Sequence, residues 1–439
     1  VTANLELGGA LFALMMLLIV SRMPIAISML VCGALGFGLL AGWRPLMAML
    51  AEVPYSRVAN YELTVIPLFI LMGQLAAHST IGSALYRSAR AWVGHYRGGL
   101  AIATIGGCAA FGAICGSSVA TGATMASIAM PEMRRCGYSG ALATGVLAAG
   151  GTLGILIPPS IILVIYAILT EQSLAHLFLA AIIPGLIATV GYAIAISIYV
   201  RLFPGAGPAA EPASWRERVL SLTAIGPVAA IFFLVIGGIY LGVFTPTEGA
   251  AYGAAATGVL AWAIGGLRLQ GLRQAILDTA KVTGMIYLIL IGAEFYSAFL
   301  ALSQLPQGLS QWIAGLGWSP YAVLLMIVGI YLLLGCVMDG LAMILVTVPV
   351  FLPLLLGLDF GMSREAVAVW FGILVLVVVE VGLITPPIGI NVYVINSMAN
   401  GVPMRDSFRG IVPFFLSDLV RIGIIIAAPA TTTWLAGVT

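Results

Sequence analysis

From Leu5 to about residue 430 the chain is a succession of apolar stretches, many close to the roughly 20 residues an α-helix needs to cross a bilayer core. No interval between them can hold a soluble domain of useful size. Only 8% of the 439 residues are charged and 62% are hydrophobic, too few charges to cover a water-facing surface. The opening run Leu5–Val20 has no basic segment ahead of it and no small-residue cleavage site, so it reads as a first span rather than a signal peptide. A net charge of +2 offers no basic face for nucleic acid. Cys32, Cys108, Cys115, Cys136 and Cys336 fall in or beside apolar segments without metal-ligand spacing, and read as packing residues. His78, His95 and His176 lie far apart and form no ligand cluster.

The spans are arranged in two copies. ILIPPSIILVIYA at 155–167 returns as LITPPIGINVYVI at 383–395, with Pro158-Pro159 and Pro386-Pro387 228 residues apart (386 − 158). Pro184 matches Pro413 at an offset of 229, Gly73 matches Gly292 at 219, Trp92 matches Trp312 at 220, and Pro24 matches Pro246 at 222. Apolar sequences align easily, so the prolines and tryptophans carry the argument. The expected fold is an all-α polytopic membrane protein. A first repeat covers 1–200, a polar linker 201–218, and a second repeat 219–439. In the first, spans near 4–21, 24–42 and 63–78 precede an amphipathic arm (80–97), a re-entrant hairpin (98–133), a broken span (139–172) and a last span (178–200). The second has spans near 219–243, 247–265 and 282–301, an arm (303–318), a hairpin (320–358), a broken span (362–397) and a last span (410–430).

Basic residues set the orientation. Arg87, Arg90, Arg97, Arg134 and Arg135 flank the first hairpin, whereas Gln304, Gln307 and Gln311 precede the second, with only Arg364 behind it. The linker carries Arg201, Arg216 and Arg218, and the matching tail TTTWLAGVT carries no charge. Five spans and one re-entrant hairpin per half place equivalent loops on opposite sides, as in inverted-repeat transporters. Both termini are then expected outside and the basic loops in the cytoplasm.

Helix breaks survive in hydrocarbon only inside protein or beside a polar cavity. GSSVAT (116–121) and CVMDGLAM (336–343) would be hairpin tips, and GGTLGILIPPS (150–160) and EVGLITPPIGIN (380–391) would interrupt the following spans. Ser117 aligns with Asp339 at an offset of 222. Carbonyls, hydroxyls and a carboxylate together are hard ligands suited to a small cation such as Na⁺. Opened helix N-termini favour an anion. No lysine or arginine lies in these segments, so an anionic substrate would depend on those dipoles, on Ser118 and on bound cations. The bland readings are a small-residue packing seam for GSSVAT and plain loop turns for the proline pairs. Asp339, an acidic residue within a span, is the first functional candidate, ahead of Glu294 and Glu380. Glu248 is expected to cap the helix after Pro246, and Asp418 with Arg421, three apart, to form a structural pair.

The stretch 116–167, with TPTEGAAYGA (245–254), PLFILMGQL (67–75) and LITPPIGINVYV (383–394), resembles the large (M-type) membrane subunit of tripartite ATP-independent periplasmic (TRAP) transporters over essentially the whole chain. That resemblance implies Na⁺-coupled uptake of an organic acid, commonly a carboxylate, by an elevator motion of a transport domain against a scaffold. A small (Q-type) membrane subunit and a periplasmic (P-type) binding protein are the implied partners. The small subunit is expected as a separate polypeptide, and the location is the bacterial inner membrane. The resemblance implies one cation site at Ser117, Ser118, Thr121, Gly151, Thr152 and Gly154. A second is implied at Gly335, Asp339, Gly340, Gly382, Thr385 and Asn391. Substrate would sit between the hairpin tips, near Ser118 and the Pro158-Pro159 and Pro386-Pro387 turns. No organic cofactor is implied.

An intramembrane enzyme would need a serine with a histidine base or two facing aspartates. No histidine falls in the broken segments, and Ser117 stands where a second aspartate would be needed. A channel would be expected to repeat a filter or a ring of like charge, and the two tips are dissimilar. A stand-alone Na⁺- or H⁺-coupled anion carrier of related fold is the nearest alternative.

Overall fold

The computed structural model describes residues 2–438 apart from Leu316, Val337, Asp339 and Asn400; the side chains of Thr2, Ala3, Ala224, Ser310, Ile313 and Ala314 also lie outside the description. Among the described residues the structure is helical and contains no strand. The first half comprises α1 (Thr2–Val20), α2 (Ile25–Ala41), α3 (Trp43–Val58), α4 (Val65–Ala77), α5 (Ile81–Val93), α6 (Gly99–Cys115), α7 (Ser118–Arg135), α8 (Gly140–Leu156), α9 (Ile161–Thr170) and α10 (Leu174–Leu202). The second half opens with α11 (Trp215–Phe232), which continues through a π turn into α12 (Gly238–Tyr240), and then α13 (Pro246–Ala263), α14 (Leu269–Ser303) and α15 (Leu305–Gly315). It ends with α16 (Pro320–Gly335), α17 (Gly340–Leu356), α18 (Arg364–Ile384), α19 (Ile390–Met398), α20 (Met404–Ala427) and α21 (Ala430–Ala436).

Contacts between the halves come in reciprocal pairs, as a two-fold relation between repeats requires. The second span of each half packs on the third of the other, α2 on α14 and α13 on α4. Each arm packs on the opposite half's first span, α5 on α11 and α15 on α1. The last spans cross onto the opposite broken spans, α20 on α8 and α10 on α18, and α19 and α9 each lie on the other half's hairpin. The first three spans of each half thus form one layer, and the hairpins, broken spans and last spans form another. Glycines allow the closest crossings. A Cβ on Gly33 would lie 2.6 Å from the Phe295 carbonyl carbon, and one on Gly145 would lie 2.5 Å from that of Gly410. Every residue of α18 from Ala366 to Ile384 is buried, and Glu380 is the one charged residue in that stretch.

Five helices (α10, α11 with α12, α14, α18 and α20) are long and apolar enough to cross a bilayer alone, and two bent pairs reach that length together. The sequence reading expected ten spans. The hairpin arms α6, α16 and α17 have 17, 16 and 17 residues, about 25 Å against a core of about 30 Å. That shortfall suits arms that enter and turn back. Helices α1 and α2 are also short as spans, with 19 and 17 residues.

Two elements, α3 and the short C-terminal α21, escaped the sequence reading. Helix α3 forms a 55° elbow with the segment Glu62–Ala77. Asn60 Oδ1 accepts the Glu62 amide at 2.8 Å, a local bond that competes with helix continuation. The equivalent stretch of the second half runs on as part of the 35-residue α14, where Gln274 and Lys281 bond Asp278 along the helix (3.0 and 3.5 Å).

The linker is folded back on the base of the first hairpin. Gly98 N bonds Gly207 O at 2.9 Å, Ala210 N bonds Gly94 O at 3.1 Å and Ser139 N bonds Ala206 O at 2.9 Å. Arm α5 is held to the same base by Arg90–Glu132 (2.6 Å). Its position 88 is buried against Ser221 (3.2 Å), whereas Arg87 and Gln311 are exposed on the two arms. Arg87→Cys and Gln311→Cys are therefore expected to react with impermeant thiol reagents from opposite faces of the membrane. Labelling of both from one face would remove the inverted topology.

Candidate functional site

The first hairpin turns at Gly116, whose φ of +66° is a left-handed conformation that glycine adopts without a Cβ penalty. Ser117 is extended and caps α7, its Oγ accepting from Ala120 N at 3.4 Å. The tip rests on α4 at Gly73, where a Cβ would lie 3.0 Å from the Cys115 carbonyl carbon. Gly154 of α8 faces the tip from the other side, with the Ser117 carbonyl 2.7 Å and Thr121 Cβ 2.8 Å from where its own Cβ would stand. Gly151 faces Ser118 O in the same way, at 3.0 Å. Thr121 Oγ1 is fully buried and has no hydrogen-bond partner among the described residues, an orphan oxygen in a place where buried polar atoms are almost always satisfied. The structure therefore brings Ser117, Ser118, Thr121, Gly151 and Gly154 together. Thr152 is turned elsewhere. Its hydroxyl donates to Ala149 O at 2.8 Å and lies 3.4 Å from Tyr192 OH.

The break in this span is shorter than its sequence suggests. Gly150–Leu156 stays helical and only 157–160 departs. Pro158 and Pro159 lack amide hydrogens, and proline forces the residue before it out of the helical region, here Ile157 at ψ 122°. Ser160 then caps α9, accepting from Leu163 N at 3.4 Å. In the second half α18 likewise stays helical to Ile384, Thr385 is extended at ψ 138°, and α19 starts after Gly389 at φ +57°. Both Pro-Pro bonds are cis.

Around the second tip, Gly335 and Gly382 touch backbone to backbone, a Cβ on Gly335 falling 2.9 Å from Gly382 Cα. Gly340 opens α17 and faces Val379, whose Cγ1 would lie 2.5 Å from a Cβ added there. Thr385 Oγ1 donates to Val381 O at 2.5 Å. Asp339, the leading candidate from sequence, lies outside the described residues. Asn391 leaves this group: its amide reaches Ala148 O of α8, in the first half, at 3.4 Å. Its Oδ1 is buried without a partner among the described residues. Among those residues no cluster of three His, Cys, Asp or Glu side chains could hold a metal ion. Any small cation here would rely on carbonyl, hydroxyl and amide oxygens, with Thr121 Oγ1 and Asn391 Oδ1 as the unsatisfied ones.

Between the two tips lies a cavity of about 490 Å³. Its walls include Gly116, Ser117 and Ser118 from one tip, Gly340 and Leu341 from the other, and Val282, Ile286 and Ile289 of α14. It is also lined by the first turns of four helices: Ile25 and Ala26 of α2, Ser118 and Val119 of α7, Ile161 and Ile162 of α9, and Gly340 and Leu341 of α17. Among the described residues no charged side chain lines it. Of the residues expected near substrate, Ser118 is in the wall. The four prolines are not, although Pro159 O lies 3.0 Å from where a Cβ of Gly116 would stand. Pro158 and Pro159 are buried, whereas Pro386 and Pro387 are exposed.

The remaining acidic candidates take structural partners. Glu294 pairs with Arg57 of α3, and Glu248 forms a capping box with Thr245. Asp418 and Arg421 pair at 2.9 Å, and Arg421 also binds Glu380 at 2.8 Å. Tyr192 OH donates to Asp418 Oδ2 at 2.9 Å and so joins Thr152 to this group. Sequence reasoning missed Tyr192. The signal was present in the repeat offsets: Thr152 is equivalent to Glu380 (380 − 152 = 228), and Tyr192 to Arg421 (421 − 192 = 229).

Two hairpin tips meeting two broken helices around an interior cavity define a transporter-type helical membrane protein. Residues 12–431 match the DctM component of tripartite ATP-independent periplasmic transporters, and the chain belongs to that family. It is similar to the C4-dicarboxylate TRAP transporter large permease protein DctM of Pseudomonas aeruginosa, with 36% identity over 85% of this chain and 86% of that one. It is also similar to the ectoine/5-hydroxyectoine large permease protein UehC of Ruegeria pomeroyi, with 31% identity over 93% and 94%. The YdaH transporter structure from Alcanivorax borkumensis superposes with a TM-score of 0.60 over 88% of each chain at 16% identity, a likeness of fold. These relatives are named as transporters or permeases, not enzymes.

Proposed function

We propose that this chain is the translocating subunit of a Na⁺-coupled symporter for an organic acid, in the bacterial inner membrane with both termini periplasmic. A periplasmic binding protein delivers the substrate. A small membrane subunit braces the layer of first spans, and the layer of hairpins moves against it as an elevator. The cavity between the tips carries this reading. Four helix N-termini converge on it and none of the described residues lining it is charged, so an anion would be held by backbone amides, helix dipoles and nearby cations. The orphaned Thr121 Oγ1 and Asn391 Oδ1 supply oxygens for those cations. Asp339, one residue before Gly340 in the cavity wall, would add the carboxylate. The relatives' names span a C4-dicarboxylate and ectoine, so the substrate class is proposed and no single compound.

The test is uptake into proteoliposomes holding this chain and its small membrane partner, with the binding protein outside, with and without an inward Na⁺ gradient. Wild-type uptake is expected to need both the gradient and the binding protein. Asp339→Asn is expected to lower uptake at least about tenfold, as loss of a charged ligand does. Thr121→Val, nearly isosteric, should raise the Na⁺ concentration for half-maximal uptake about five- to tenfold, the scale of one polar contact. Uptake indifferent to Na⁺ would discard the coupling, and uptake without the binding protein would favour a stand-alone carrier.

A further inference from the structure

A second hollow, of about 920 Å³, is a groove between α10 and α20, the last spans of the two halves. Small residues, Gly191 and Ala195 of α10, leave room between the helices, and Ile194, Ile198 and Leu416 form walls that are each just over half exposed. The helices approach most closely where a Cβ on Gly191 would lie 2.6 Å from Ser417 Oγ. The lining runs from Gly191 to Phe203 on α10 and from Asp406 to Val420 on α20, about 18 Å and about 21 Å of helix. That is the depth of one leaflet, half of a core of about 30 Å, together with the interface beside it.

The groove is apolar along most of its length and polar at one end. There Tyr199 and Phe203 have ring centroids 4.9 Å apart, and Asp406 and Arg409 complete the wall. Aromatic rings and arginines are the side chains that sit at headgroup depth. The Arg409–Asp406 pair is long (3.8 Å) and the Arg409 side chain is 63% exposed, so its fork is open to an acceptor from outside. Arg201 and Arg405, each next in sequence to a lining residue, are exposed as well. Three arginines against one aspartate leave a net charge of +2 among these four, and basic ends of this kind face the cytoplasm.

We propose that this groove binds one anionic phospholipid of the cytoplasmic leaflet, with its phosphate on Arg409 and one acyl chain lying along α10 and α20. Basic pockets between membrane helices on the cytoplasmic side are sites for anionic headgroups. A free phosphate would leave the apolar walls unfilled, and a neutral lipid would leave the arginines unmatched. The charged end and the one-leaflet depth together fit a single lipid molecule. No residue lines both this groove and the cavity between the hairpin tips, so the site is separate from the one proposed for substrate. The lipid fills the seam between the last spans of the two halves, and its loss loosens the layer they belong to.

The experiment is a lipid titration of thermal unfolding, in a neutral detergent, on the full chain with its small membrane partner. The probes are phosphatidylglycerol, phosphatidylcholine with the same acyl chains, and inorganic phosphate. Of the three, phosphatidylglycerol alone is expected to raise the unfolding temperature. Arg409→Gln should raise its half-effect concentration about fivefold, the scale of one basic side chain near a membrane anion. Asp406→Asn should lower it about two- to fivefold, because a like charge beside the phosphate is removed. Ile198→Trp, which fills the groove, should abolish the effect. Leu186→Trp, at an exposed position of the same helix outside the groove, should leave it intact. Equal effects of the two lipids, a shift by inorganic phosphate alone, or an unmoved half-effect concentration in Arg409→Gln and Ile198→Trp would each overturn the proposal. Cross-linking of Ile198→Cys to the small partner or to a second copy would give the groove to protein and overturn it too. If Ile198→Trp does not fold, Arg409→Gln and Asp406→Asn decide, since the lipid site requires them to move in opposite directions.

Discussion

Arg421→Met is expected to destabilise the protein by about 3–5 kcal/mol, the scale found when one partner of a buried ion pair is removed. Arg421 is the guanidinium shared by Glu380 (2.8 Å) and Asp418 (2.9 Å), and all three are sealed in the interior. Methionine fills much of the same space but leaves two carboxylates without a counter-charge. The measurement is thermal or denaturant unfolding of the solubilised chain, with folded yield as a second readout. Adding Glu380→Leu and Asp418→Leu to Arg421→Met should recover much of the loss, because an apolar substitute for a buried ion cluster is often neutral or better. A single Arg421→Met variant as stable as wild type would show that the cluster is not ionised as drawn.

Ser118→Glu is expected to reduce kcat/KM for uptake by at least about two orders of magnitude. Ser118 stands in the cavity wall on the first turn of α7 and is 7% exposed. A carboxylate there would sit where the helix N-termini attract an anion. Like charges a few ångströms apart in a poorly hydrated cavity repel by several kcal/mol. Ser118→Ala should cost no more than about tenfold, since it removes one hydroxyl contact. The pair of variants separates charge from shape. Equal losses in both would mean that the serine hydroxyl, and not the electrostatics of the cavity, is what matters, and equal retention would place the substrate elsewhere.

The sequence by itself determined most of the features that depend on local covalent physics and on the solvent, the α3 elbow at Asn60 being an exception. Apolar runs with few charges fix an all-helical membrane chain, because each backbone amide in hydrocarbon must be satisfied within its own helix. The hairpin expected over 98–133 is α6 and α7, Gly99–Cys115 and Ser118–Arg135, and that expected over 320–358 is α16 and α17. The breaks fall at Pro158-Pro159 and Pro386-Pro387, since a missing amide and a steric clash act on the nearest residues alone. Glu248 as a cap and Asp418 with Arg421 as a pair were readable for the same reason: their partners are three residues away.

Only the tertiary structure decided the features that depend on partners distant in the chain. Nothing near Asn391 says that its amide will reach Ala148, 243 residues earlier, or that Thr152 will turn toward Tyr192. Nor does a duplicated proline pair reveal that one copy is buried and the other exposed. Glu380 looked like an isolated carboxylate until α18, α20 and α10 were packed together, with Tyr192 and Asp418 226 residues apart. The repeat offsets had marked these positions as equivalent. The charged cluster itself forms where α20 packs on α18 of the same half, and the crossing of each last span onto the opposite broken span adds Tyr192 and Thr152 to it. That contact is made by close packing and by the Tyr192 hydroxyl reaching Asp418 across the interface, and it leaves no local mark on either stretch of sequence.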